Sequence, residues 1–160
     1  MPGGLGMQGT FGRIVLGFIA AAISVLLVHQ TIIYALGLSG MTRAQPWSLQ
    51  RLGYGPFPWV PLLANNVFWG GLWGILFAFV HHWLPSRMMW LKGLLFGLMM
   101  VLVSNWTLLP LIRHYVFNWP PQPLFSGFNP TTMLVVVLVV GGFGLGLGII
   151  YSLIAREKTA

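Results

Sequence analysis

The chain has no cysteine, and Glu157 is its single acidic residue. Without cysteine there is no disulfide framework, no thiol nucleophile and no cysteine-ligated iron–sulfur cluster. With one carboxylate there can be no catalytic carboxylate pair, and without aspartate no Ser-His-Asp triad. No glycine-rich loop leads into a Lys-Ser/Thr pair, which removes the usual phosphate cradle. Proton-coupled transport commonly relies on carboxylates inside the membrane, and these are missing too. Enzymatic chemistry is therefore not expected, and no cofactor is called for.

Charge is scarce altogether. Only 6% of the residues are charged and 57% are hydrophobic, against roughly a quarter charged in a soluble domain. Such a chain cannot cover itself with polar surface in water, so its solvent is the bilayer. The net charge of +7 raises the question of nucleic acid, but the basic residues form no patch. They flank the apolar runs, where they meet lipid headgroups.

A spanning helix needs about 20 mostly apolar residues, and four runs qualify, at about 14–36, 60–84, 88–112 and 131–155. Pro61 suits the first turn of the second, and Asn129-Pro130 reads as an N-cap with proline at the first helical position of the fourth. The first run is longer than the ~7–15 apolar residues of a secretion signal, so an uncleaved span is expected. The expected architecture is all-α: one integral membrane domain over 1–160, a polytopic four-transmembrane-helix bundle with both termini on the same side. The turn at Pro85-Ser86-Arg87 should make spans two and three an antiparallel hairpin. The loops 37–59 and 113–130 carry Trp47, Tyr54, Phe57 and Trp59, and Tyr115, Phe117, Trp119, Phe125 and Phe128. Aromatics of this kind sit at headgroup level, so both loops should lie flat on one membrane face.

Orientation follows from the basic residues. Arg13, Arg87, Lys92, Arg156 and Lys158 fall on one side, and Arg43, Arg51 and Arg113 on the other. The positive-inside rule then places both termini and the short turn in the cytoplasm, in a bacterial inner membrane.

Lipid gives helices no hydrophobic drive to associate, so close backbone approach at small residues matters. Gly17 with Ala21, Gly70 with Gly74, Gly93 with Gly97, Gly142 with Gly146 and Gly144 with Gly148 recur at i, i+4 in the four spans. They predict a tight bundle, with the fourth span's glycine face either inside it or offered to another subunit. Trp69-Gly70-Gly71-Leu72-Trp73-Gly74 resembles Val140-Gly141-Gly142-Phe143-Gly144, as a two-plus-two repeat would produce; chance overlap of glycines would produce it too.

Polar residues inside the membrane are the default place to look for function. At ~1.5 Å per residue, His29 lies ~24 Å from Arg13, Asn66 ~24 Å from His82, and Asn105 ~20 Å from Lys92. His29, Gln30, Asn65, Asn66, Ser104 and Asn105 therefore share a level near the non-cytoplasmic boundary. Trp69 and Trp73 join Asn66 and Gly70 on one face of span two by i, i+3, i+4, i+7 spacing. Three helices could converge there on a small pocket under the aromatic loops, or these groups could serve as hydrogen-bonding glue between helices. A bis-histidine haem site would need partners at one depth. His29 and His114 are the sole such pair, and His114 lies past the end of its span. His81-His82 read as a polar helix end.

From span two onward the order of features resembles YagU-type bacterial inner-membrane proteins. The matching residues are Asn66-Val67-Phe68, Leu76-Phe77-Ala78-Phe79-Val80, Pro85, Trp90-Leu91-Lys92-Gly93-Leu94-Leu95-Phe96-Gly97, Leu109-Pro110-Leu111 and a glycine-bearing last helix ending at Arg156. The resemblance covers the C-terminal two-thirds and implies location rather than reaction, so no catalytic residue follows from it. Two readings of function remain. One is an accessory or scaffolding subunit, or a homo-oligomer, acting through glycine-rich packing with lipid and membrane-protein partners. The other is a small transporter or channel for a neutral or anionic solute, or a lipid or quinone binder, using the polar band.

Overall fold

A computed structural model describes residues 9–53, 57–118 and 120–155. Four helices are long and apolar enough to cross a membrane: α1 (Thr10–Leu38), α2 (Leu62–Trp83), α3 (Met89–Tyr115) and α4 (Pro130–Ile154). The protein is all-α, without strands among the described residues. Tyr54, Trp119, Arg156, Glu157 and Lys158 lie outside those residues. α1 and α3 run past the ends expected from hydropathy. Hydropathy reports the thickness of the hydrocarbon core, whereas a helix can continue into the headgroup region.

The helix starts are capped in three ways. At α4, Asn129 Oδ1 accepts the Thr132 N–H at 3.0 Å, and Pro130 follows as the first helical residue. At α3, the Ser86 hydroxyl accepts the Met88 N–H at 2.9 Å. At α2, Pro61 sits before the helix in extended geometry rather than in its first turn. There the loop supplies the caps, as Leu62 N–H donates to Gln50 O at 2.9 Å and Leu63 N–H to Ser48 O at 3.0 Å. These bonds satisfy N–H groups that have no partner inside the helix.

α1 and α3 each contain a widened, π-helical stretch, Val25–His29 and Val101–Leu108. The Gln30 N–H reaches back to Val25 O, and the Leu109 N–H to Ser104 O. In α3 the cause is legible. Pro110 has no N–H, and in a regular helix its ring would press on the carbonyl of Trp106. In α1 no proline is nearby, and what compensates is the docking of Trp47, described below.

Side-chain and backbone contacts order the helices in a ring, α1–α2–α3–α4, with neighbours antiparallel. Three of the four edges are close. A Cβ placed on Gly17 would strike the backbone of Gly74, and the reverse holds. A Cβ on Gly144 would lie 2.6 Å from Gly97 Cα and also strike Gly93 O, and one on Gly148 would lie 3.0 Å from Gly93 Cα. α4 turns a different glycine pair to α1: Gly146 lies under Val28 and Ser24, and Gly142 under Ile32. The Ser24 hydroxyl donates to Phe143 O at 2.7 Å across this edge.

The fourth edge, between α2 and α3, stays wide, although the shortest turn joins these two helices. Large rings fill it: Phe77 stands 5.3 Å from Phe96, and Trp73 6.2 Å from Phe96. Phe77 also meets Tyr151 of α4 at 5.7 Å, which ties this filling to the common core.

The two halves repeat one arrangement. Gly17 of the first helix meets Gly74 and Ala78 of the second, and Gly93 in the same way meets Gly144 and Gly148. Val25 and Val101, each eight residues later, open the widened stretches. This register pairs Gly74 with Gly144, the residues on which the resembling strings Trp69–Gly74 and Val140–Gly144 end. It also explains the unequal edges. Gly142 and Gly146, which let α1 approach α4, correspond to Leu72 and Leu76 on α2, where α3 stays away.

Candidate binding site at the loop end of the bundle

Both long loops fold back along the helices instead of lying flat. Trp47 holds a left-handed conformation (φ 50°), and its N–H donates to Gln30 Oε1 at 2.8 Å. Its indole Nε1–H donates to Leu26 O at 3.0 Å. In a regular helix the Gln30 N–H would occupy the Leu26 carbonyl; here that N–H goes to Val25, so the widened turn frees an acceptor and Trp47 takes it. Leu26 lies 12 residues before the end of α1, ~18 Å along the helix. In the second half Phe125, also left-handed (φ 50°), packs on Trp106 within the widened stretch of α3 at 5.8 Å. Phe125 and Phe128 stack at 5.8 Å.

The expected polar band is therefore divided. Gln30 is buried and committed to the loop rather than to another helix; its Nε2 also donates to His29 Nδ1 at 3.3 Å. His29 sets its ring edge-on to Phe143 at 6.5 Å. Ser104 is buried, while Asn65, Asn66 and Asn105 are half-buried and make no side-chain hydrogen bond among the described residues. Trp69 does not share the inward face of Gly70 and Trp73. It is exposed beside Phe68 at 5.6 Å, while Gly70 packs on Val25 of α1. The i, i+3, i+4, i+7 stripe was too wide for one face because α2 has neighbours on two sides.

The histidines do not converge. His114 meets Tyr115 edge-on at 4.7 Å, and His82 packs at a tilt on Trp83 at 4.7 Å. His81 sits among Phe77 at 5.6 Å and Tyr151 at 5.4 Å, as part of an aromatic cluster rather than an open helix end. No cluster of three His, Cys, Asp or Glu side chains occurs among the described residues.

Two features of this end carry little or no sequence signal, and a third, Trp106, stands with Trp69 and Trp73 near the polar band as the lipid or quinone reading expects. Ser24 lies on the same stripe as Gly17 and Ala21, and that spacing was the available signal for its bond to α4. The docking of Trp47 had no local signal. Trp106 has a buried indole Nε1–H without an acceptor among the described residues.

Comparisons with protein-family models, with curated proteins and with solved structures found no match.

Proposed function

We propose that this multi-pass membrane protein is a non-catalytic binder of a neutral amphiphile, a lipid or a quinone, held at the loop end of the bundle beside the α2–α3 edge. The observation that carries the reading is the inequality of the edges. Three are closed by glycine or serine against backbone, while the fourth rests on Trp73, Phe77 and Phe96. Seven residues before Trp73, two turns toward the loops, stands Asn66. Apolar rings with a few polar groups at one end suit an amphiphile better than an ion.

The glycine ladders speak less for recruiting another subunit, because Gly17, Gly70, Gly74, Gly93, Gly97, Gly142 and Gly146 all meet atoms of their own chain. Self-association or a scaffolding role would have to use other surfaces. We place the protein in a bacterial inner membrane, with the Arg13, Arg87 and Lys92 end cytoplasmic. Arg156 and Lys158 complete that five-to-three excess in the sequence, and the resemblance to YagU-type proteins fits the same location.

Native mass spectrometry from a gentle detergent, with identification of released small molecules, tests the reading. One lipid or quinone per chain is the expected result. A defined multi-subunit mass without an amphiphile would overturn it in favour of an accessory subunit. A bare monomer would overturn both.

A further inference from the structure

The two halves treat one equivalent position in opposite ways. Gln30 lies five residues after Val25, where the first widened stretch opens, and Trp106 lies five residues after Val101, where the second opens. Both meet the aromatic residue of the loop that follows. In the first half the side-chain Oε1 of Gln30 accepts the backbone N–H of Trp47, and the arrangement is closed. In the second half the residue is itself a donor. Trp106 packs at a tilt on Phe125, and its buried Nε1–H has no acceptor among the described residues.

The neighbouring polar groups do not supply one. The Thr107 hydroxyl donates to Val103 O at 2.6 Å and lies 3.1 Å from Leu102 O. Ser104 O receives the Leu109 N–H. A donor left unpaired away from water is unfavourable, and more so at membrane depth, where water does not compensate. Trp106 lies nine residues before the end of α3, ~14 Å along the helix.

The turn over Trp106 is itself strained. Phe125, Ser126 and Phe128 all adopt positive φ, between 50° and 57°, in a left-handed turn with Gly127. Side-chain-bearing residues hold such a conformation when their surroundings impose it. Here the tilted packing of Phe125 on Trp106 and its stacking on Phe128 do so. The strain holds an aromatic roof against a ring whose polar edge is unmatched.

We infer that Trp106 Nε1–H is the hydrogen-bond donor to a carbonyl oxygen of a bound neutral amphiphile, with Phe125 as the wall of the site. This rests on the function proposed above and names the group that would orient the ligand. A lipid ester and a quinone offer the same carbonyl chemistry.

The test uses full-length protein with 15N-labelled tryptophan, in an ester-free detergent and in phosphatidylcholine nanodiscs, with and without decyl-benzoquinone. Trp106→Phe keeps a ring against Phe125 and assigns the indole resonance by its loss. A Trp106 N–H shift on moving into nanodiscs identifies the lipid ester. A shift on adding the quinone alone identifies the quinone. Affinity for the responding ligand should fall about five- to tenfold in Trp106→Phe, the worth of one net hydrogen bond, with the other indole resonances unmoved. An N–H that ignores both probes and exchanges readily with deuterium oxide would show water as the acceptor and overturn the inference. If an amphiphile co-purifies equally with wild type and Trp106→Phe, the assignment of Trp106 fails while the binding function stands. If none co-purifies with the wild type, that function itself fails.

Discussion

Gly144 and Gly141 lie on the same helix, three residues apart, and alanine should act on them in opposite directions. A Cβ at Gly144 would stand 2.6 Å from Gly97 Cα and 2.7 Å from Gly97 N, and would strike Gly93 O. All three are backbone atoms, so no rotamer change can make room. Ordinary contact begins at 3.4 Å, so α3 and α4 must part by roughly 0.8 Å at this level. A gap of that size forfeits a quarter to a half of the dispersion energy of the contacts it opens. Overpacking strain of about 2–3 kcal/mol follows. The better helix propensity of alanine returns about 1 kcal/mol, leaving Gly144→Ala destabilised by about 1–2 kcal/mol. At Gly141 the nearest atoms are Leu98 Cδ2 at 3.5 Å and Leu94 Cδ1 at 3.8 Å. The methyl group fits there, and the propensity gain of up to about 1 kcal/mol remains. Thermal unfolding in one detergent, followed by tryptophan fluorescence and by size-exclusion profile, should separate the two variants by about 4–12 °C, at about 2–4 °C per kcal/mol. Equal melting temperatures, or a less stable Gly141→Ala, would refute the close α3–α4 contact.

Three further substitutions test the loop anchors and caps. Gln30→Leu removes the acceptor of the Trp47 N–H and should destabilise by about 1–3 kcal/mol, with faster deuterium exchange at the Trp47 amide as the readout; unchanged exchange would count against the docked loop. Ser24→Ala removes the hydroxyl bond to Phe143 O and should cost about 0.6 kcal/mol, because that carbonyl keeps its place in the helix; the same thermal assay measures it. Asn129→Ala should cost about 1 kcal/mol through the lost N-cap of α4, seen as exchange at the Thr132 amide rising before that of the helix centre.

The spans could be read from the sequence because the period of the signal is long: some 20 apolar residues leave few alternatives. The Asn129-Pro130 start could be read because its mechanism is local, one side chain meeting an amide three residues on. The tertiary pattern could be read only in part. Gly93, Gly97, Gly144 and Gly148 stood out as small residues four apart, but their spacing does not say which helix they face. Gly144 and Gly148 face α3, while Gly142 and Gly146, shifted by two residues, face α1. The polar level was legible as a depth and not as a set of partners. Gln30 and Ser104 fall at matching heights, yet Gln30 turns to a loop 17 residues along the chain. The widened turn that frees Leu26 O has no composition signature, so neither that carbonyl nor its use by Trp47 could be foreseen.

The unequal edges make the bundle asymmetric about its ring. A two-plus-two arrangement with equal halves would close both the α1–α4 and the α2–α3 edges with glycine, and the interior would hold nothing but its own side chains. Gly142, Gly146 and Ser24 do close the first of these. At the matching positions of the second stand Leu72, Leu76 and, opposite, Met100. Leu72 and Leu76 are exposed, and Met100 is buried in the core. Bulk has thus replaced close approach on one side of the ring only. On α3, the other helix of that edge, the loop anchor has changed from an amide that completes its own hydrogen bonds to an indole that does not. Each change alone is a packing detail. Together they leave the α1–α4 edge closed by its own chain and put an unmatched donor on a helix of the wide α2–α3 edge, a combination that the amphiphile proposed above would complete.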